Sequence, residues 1–127
     1  WAAIFFLEVM TMKILLIEPE KIPRPLEIEP SLKSMQQLVG GPIQAVYPFE
    51  EPVALICHEE GKLLGLPLNR ALRSLETGAI YDIIAGPFFL CSAPHDSDHF
   101  ESLTEEQLER YTKRFFAVEY FVGGESK

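Results

Sequence analysis

Only two cysteines, Cys57 and Cys91, occur in the 127 residues, and they form no C-x-x-C pair. That scarcity excludes a disulfide framework or a thiolate metal cluster, and two free, buried thiols are the expectation. Positive charge is scarce too. Eleven Lys and Arg face 19 Asp and Glu, a net charge of −8. Such a surface repels phosphate backbones, which excludes general nucleic-acid binding by counterion release. An anion could be held only at a local positive island. No apolar run is long enough to span a bilayer, and no basic leader with a small-residue cleavage site is present. The P-loop, the nucleophile elbow, the H-E-x-x-H helix and the dinucleotide fingerprint are all missing. These absences describe a cytoplasmic, non-enzymatic protein with no cofactor.

What is present is 47% hydrophobic residues, enough for one core in a chain of this length and too little for two. The first eleven residues, WAAIFFLEVMT, stand apart from that core. Leu-Glu-Val-Met-Thr-Met can be encoded by CTG-GAG-GTG-ATG-ACT-ATG, which contains GGAGGTGAT, a strong bacterial ribosome-binding sequence. Residues 1–11 are therefore expected to be translated leader, with the native start at Met12. A chain starting there loses Glu8, and its charge becomes −8 + 1 = −7. Residues 12–122 would form one domain and 123–127 a flexible tail.

From Met12 the pattern alternates between strand and helix. Lys13–Ile17 is a short apolar run, and Leu26–Glu29 alternates between prolines, as an edge strand would. Ser31 reads as an N-cap, with Leu32, Met35, Leu38 and Val39 at helical spacing before Gly40-Gly41. Ile43–Tyr47 and Val53–His58 are β-rich, and Glu59-Glu60-Gly61 is expected to turn the second into a hairpin with Lys62-Leu63-Leu64. Ile80–Cys91 exceeds one typical strand and should bend at Gly86-Pro87. Thr104 with Gln107 forms a capping box, with Leu103 and Leu108 as its hydrophobic staple, ahead of a helix over about 105–116. The expected fold class is α+β: a mixed or antiparallel sheet of five to six strands with two helices packed on one face.

Four segments carry a resemblance. MKILLIEP, LVGGPIQAVYPFEEPVALICHEEGKLLGLPLNRAL, YDIIAGPFF and SLTEEQLERYTKRF, in that order, resemble the family of unknown function numbered 3846. The resemblance runs from Met12 to Phe121, and its most specific part is the middle block with Tyr47-Pro48-Phe49 and Leu68-Asn69-Arg70-Ala71. His58 and Pro87 depart from the family pattern, which often has Asn and Thr there, as does the Pro94–His99 loop. The resemblance implies a habitat, since similar proteins come from phages and mobile elements of Gram-positive bacteria, and it implies no activity.

The candidate sites are few. His95-Asp96-Ser97-Asp98-His99 offers donors that suit a divalent ion, but histidines four apart make a metal pair mainly on a helix, and this is a polar loop, so no metal is expected. Cys57 and His58 are neighbours on a strand and point to opposite faces, which prevents thiolate activation. Tyr47, Phe49, Tyr81, Phe88 and Phe89 can fill a core or wall a stacking site. Glu105, Glu106 and Glu109 suit the start of a helix or an acidic docking face.

GLPLNRALR, residues 65–73, is the local positive island. Were Ala71-Leu72-Arg73 to begin a helical turn, Arg70 and Arg73 would present two forks to a phosphate or carboxylate, with Asn69 adding an amide. Alternatively Arg70 pairs inside the fold with Asp82 or Glu51 while Asn69 caps the turn. Two functions remain. One is a phage or mobile-element accessory protein, acting in counter-defence, that binds a phosphorylated or nucleotide-derived small molecule through Asn69, Arg70, Arg73, Tyr47 and Tyr81. The alternative is an acidic protein-interaction module that blocks a host protein. A homo-oligomer through an edge strand is expected in either case. The leader expectation is checked by the gene: the purine run GGAGGTGAT should lie just upstream of the Met12 codon, and its absence removes the case for a start there.

Overall fold

The computed structural model describes residues 11–121. All but Thr11 of the expected leader, and the expected tail at 123–127, lie outside the described residues. The order of elements is β1 (Met12–Ile17), β2 (Arg24–Ile28), α1 (Leu32–Val39), β3 (Ile43–Val46), β4 (Val53–His58), β5 (Leu68–Arg73), β6 (Ile80–Ala85), β7 (Phe88–Ser92) and α2 (Glu105–Arg114). The class is α+β. Five strands form one antiparallel sheet in the order β2-β1-β7-β4-β3, and β5 and β6 form a separate two-stranded hairpin.

The three inner strands β1, β7 and β4 are buried on both faces, as their near-continuous apolar sequences require. Alternate residues therefore feed two different cores. Ile14, Leu16, Ala54, Ile56, Phe89 and Cys91 pack with Met35 and Val39 of α1. Leu15, Ile17, Leu55, Phe88 and Leu90 pack on the other side with Leu108 and Tyr111 of α2, with Phe115 at its end, and with Leu72 and Ile84 of the hairpin. The expectation of two helices on one face is corrected here: α1 covers one face of the sheet, and α2 with the hairpin covers the other. A sheet apolar on both sides needs cover on both sides.

The helix ends follow their sequence signals. The Ser31 side chain accepts from the Ser34 amide, and Gly40 closes α1 with φ of 89°. In α2 the Thr104 hydroxyl accepts from the Gln107 amide at 3.1 Å, and the Gln107 carboxamide oxygen accepts from the Thr104 amide at 2.9 Å. The cysteines are free and buried, Cys57 in one core and Cys91 in the other. Burial raises both thiols above their ordinary pKa, Cys91 to about 12.

Two local expectations fail. Lys62-Leu63-Leu64 does not pair back onto β4; residues 59–65 coil through successive turns, with Leu64 donating to Glu60 and Leu66 to Gly61. Gly61 serves close approach, because a Cβ there would lie 2.7 Å from the Ala85 carbonyl oxygen. Secondly, Leu68–Arg73 is a strand and not the beginning of a helical turn. Pairing with β-branched β6 overrides the helix propensity of Ala71, Leu72 and Arg73. The expected bend at Gly86-Pro87 is larger than a kink, since β6 on one side and β7 on the other belong to different sheets.

Candidate functional site

The LNRALR strand does not build an exposed clamp. Arg70 is 0% exposed and so is Asn69. The Arg70 guanidinium donates from Nε to the Phe115 carbonyl at 3.0 Å, from Nη2 to the Lys21 carbonyl at 2.7 Å and from Nη1 to Asn69 Oδ1 at 2.8 Å. Asn69 in turn donates from Nδ2 to the carbonyls of Ile17 and Gly86, both at 2.9 Å. Neither Asp82 nor Glu51 is the partner: Asp82 pairs with Lys62, and Glu51 lies against α2. Burial draws the Arg70 pKa below its ordinary value, with the Glu119 charge opposing. A guanidinium remains charged through such a shift.

Arg73 is half-exposed and forked onto Glu119, with Nη2 to Oε1 at 2.9 Å and Nη1 to Oε2 at 3.2 Å. That hydrogen bond raises its pKa. Tyr81 sits exposed near the start of β6 and Tyr47 exposed just after β3. Of the five residues expected to bind an anion, Tyr47 alone lines a broad groove at one end of the sheet.

That groove, of about 930 Å³, lies on the α1 face at one end of the sheet. Pro30, Leu32 and Met35 come from the approach and start of α1, and Ile43 from β3. Tyr47 and residues 49–52 form one wall, and residues 93–95 with 97–100 form the other. Its lining is largely apolar and aromatic, through Met35, Ile43, Tyr47, Phe49 and Phe100, while Glu50 and Asp98 supply carboxylates; Glu51 also lines it, but its carboxylate is taken up by α2. Among the described residues no Lys or Arg lines it. The Pro94–His99 loop thus contributes a wall. Its His99 lies 3.1 Å from Asp98 and 3.7 Å from Glu101. Among the described residues no group of three His, Cys, Asp or Glu is arranged to hold a metal ion.

One wall is pinned from behind. Glu51 accepts from Tyr111 Oη at 2.6 Å, Arg110 Nη2 at 2.7 Å and Gln107 Nε2 at 3.0 Å. Phe49 packs on Tyr111 with ring centroids 4.8 Å apart, and the Arg114 guanidinium stands 4.9 Å from the Phe49 ring centre. Partial burial pushes the Glu51 pKa up, but the Tyr111 and Gln107 hydrogen bonds and the Arg110 charge outweigh it and hold the carboxyl below its ordinary value. Burial, followed by the Glu51 carboxylate, pushes the Tyr111 phenol up. Glu51 was not among the residues expected to shape a site. Its signal would have been Glu50-Glu51 set between Pro48 and Pro52, a rigid acidic loop, opposite a helix that carries Gln107, Arg110 and Tyr111 on one side.

Fold and groove together define a small α+β domain with one large apolar, acid-rimmed groove among its described residues. Residues 12–116 match the model of the family described as a domain of unknown function, DUF3846, and the chain belongs to that family. No curated protein and no solved structure matches the chain.

Two outcomes follow. Arg70→Ala strands the carbonyls of Phe115 and Lys21 and should cost about 3 kcal/mol or more, whereas Arg73→Ala, which removes a half-exposed pair, should cost about 1 kcal/mol or less. Urea unfolding of both variants checks this; equal, small losses would show that Arg70 carries no structural role. Glu51→Gln should destabilise by about 1–2 kcal/mol at pH 7. Because the folded pKa of Glu51 is depressed, its contribution is present above the unfolded value of about 4.3 and fades as pH falls through the folded value. Unfolding curves of wild type and Glu51→Gln should therefore converge in acid, and a difference independent of pH would remove the electrostatic explanation.

Proposed function

We propose that this protein is a non-enzymatic interaction module whose acid-rimmed groove holds a basic, partly apolar segment of a protein partner. The observation that carries the reading is the lining of the groove: aromatic and aliphatic side chains, the carboxylates of Glu50 and Asp98, and no Lys or Arg among the described residues. Such a surface attracts a cationic partner over several ångströms and rewards it with apolar burial on arrival. Exposed Tyr47 and Leu32 offer the kind of apolar contact that anchors an interface. The net charge of −8 acts in the same direction.

The anionic small-molecule reading has weaker support, since Arg70 is spent on backbone carbonyls and Arg73 on Glu119. In the habitat implied by the resemblance, the partner is a host protein in the cytoplasm, and its occupation would serve counter-defence. No helix among the described residues is long and apolar enough to cross a membrane.

Selection from a displayed random-peptide library tests the reading. Enriched peptides should carry Lys or Arg around apolar residues, lose affinity as salt rises, and bind about tenfold more weakly to Tyr47→Ala and to Glu50→Gln. If enrichment favours acidic peptides, or if binding is unchanged in both variants, the groove is not the site. Saturable binding of ATP or a cyclic nucleotide, with no peptide selected, would return the function to an anionic small molecule.

A further inference from the structure

The two edges of the five-stranded sheet are built differently. The β2 edge, Arg24-Pro25-Leu26-Glu27-Ile28, carries two charges and a proline and is flanked by Pro23 and Pro30. Charges and prolines are how an edge is guarded against another strand. The β3 edge, Ile43-Gln44-Ala45-Val46, is likewise flanked by prolines, Pro42 and Pro48, but has no charge and no proline within it, and among the described residues its ladder is filled on one side only, by β4. Ile43 also lines the groove, so this open edge and the groove are continuous.

We infer that β3 is a docking strand, and that the partner adds to it as a sixth strand in which apolar and basic residues alternate. This rests on the groove reading given above and specifies its mode. Ile43 and Ala45 face the α1 core, while Val46 packs toward the opposite one. An added strand follows the same alternation. Its residues on the α1 side enter the apolar groove. Those on the other side meet a cleft of about 200 Å³ lined by Gln44 and Val46, with exposed Glu59 and Glu60 at its margin. Lys62, the one Lys or Arg among the described residues that line the cleft, is taken by Asp82. Four residues of β3 extend roughly 13 Å, enough to align a short segment through main-chain hydrogen bonds while the two faces read its side chains.

A second copy of this chain is the obvious competitor for an open edge. Residues 40–51, GGPIQAVYPFEE, contain two carboxylates and no Lys or Arg. Pairing β3 with its own copy would bring no Lys or Arg to Glu59 and Glu60 at the margin of the cleft. Charge complementarity favours the basic partner.

The test uses a synthetic acetylated peptide of alternating Lys and Val, a block-ordered peptide of the same composition, and the alternating peptide N-methylated at every second residue. Amide exchange of the full chain is followed by NMR. Alternate amides within residues 43–46 should become protected on adding the alternating peptide. The block-ordered and N-methylated peptides should bind at least about tenfold more weakly, a difference of about 1.4 kcal/mol. Gln44→Lys should weaken the alternating peptide by a similar factor and Gln44→Glu should not. Protection confined to residues 47–52 and 94–100, with all three peptides bound equally, would overturn strand addition and leave the groove reading standing. No binding by any of them, together with no basic enrichment in the library selection, would overturn both. Protection of β3 amides in the free protein, with a dimer by sedimentation, would assign the edge to a second copy and overturn the proposal.

Discussion

The hydrogen-bonded joint formed by Asn69 and Arg70 is the constraint on which the layered arrangement depends. The β5–β6 hairpin shares no ladder with the five-stranded sheet, so backbone pairing cannot hold the two together. Asn69 reaches the end of β1 at Ile17 and the β6–β7 turn at Gly86, while Arg70 reaches the β1–β2 connection at Lys21 and the end of α2 at Phe115. Apolar packing between the layers is non-directional and tolerates sliding; these hydrogen bonds fix a register. A fully buried cation with carbonyl partners is costly to desolvate and costlier to orphan. No buried side-chain polar atom lacks a partner among the described residues.

That joint also explains how far the sequence could be read. Short-range chemistry was legible: Ser31 and Gly40 at the ends of α1, and Thr104 with Gln107 at the start of α2, act among neighbours in the chain. The α+β class and the family followed from patterns of similar reach. The two-sided burial of the sheet was also present, in the unbroken apolar runs of β1, β4 and β7, but the α2 stripe says nothing about which face it will cover. Arg70 was the least legible. Its partners are main-chain carbonyls, which every residue possesses, so no side chain elsewhere marks them. An arginine spent on carbonyls and one free for a phosphate look alike in a sequence.

The groove was legible only in pieces. Tyr47 stood out as an aromatic, Glu51 as a candidate partner of Arg70 and Pro94–His99 as a polar loop, each assigned to a different role. Their convergence comes from topology: β4 and β7 are neighbours, so the segment entering β4 and the segment leaving β7 meet at one end of the sheet. Val53 opposite Ser92 sets that meeting. Glu51 then draws its segment toward α2, on the other face, so the groove wall is held by a helix that does not itself line the groove.

The position of β7 has a consequence for the order of assembly. It lies between β1 and β4, and every other pairing in the large sheet joins consecutive strands, β1 with β2 and β3 with β4. Before β7 arrives the chain can form two local hairpins with no ladder between them. Leu15 must find Leu90, and Leu90 must also find Leu55, before they become one sheet. Closure of those long loops is entropically expensive, which makes insertion of β7 the natural rate-limiting event. Because β7 follows β6 directly through Gly86-Pro87, the seating of the hairpin by Asn69 and Arg70 also delivers β7 to its slot. The same buried polar joint that positions the layers would then act kinetically, as the guide that brings the last central strand home.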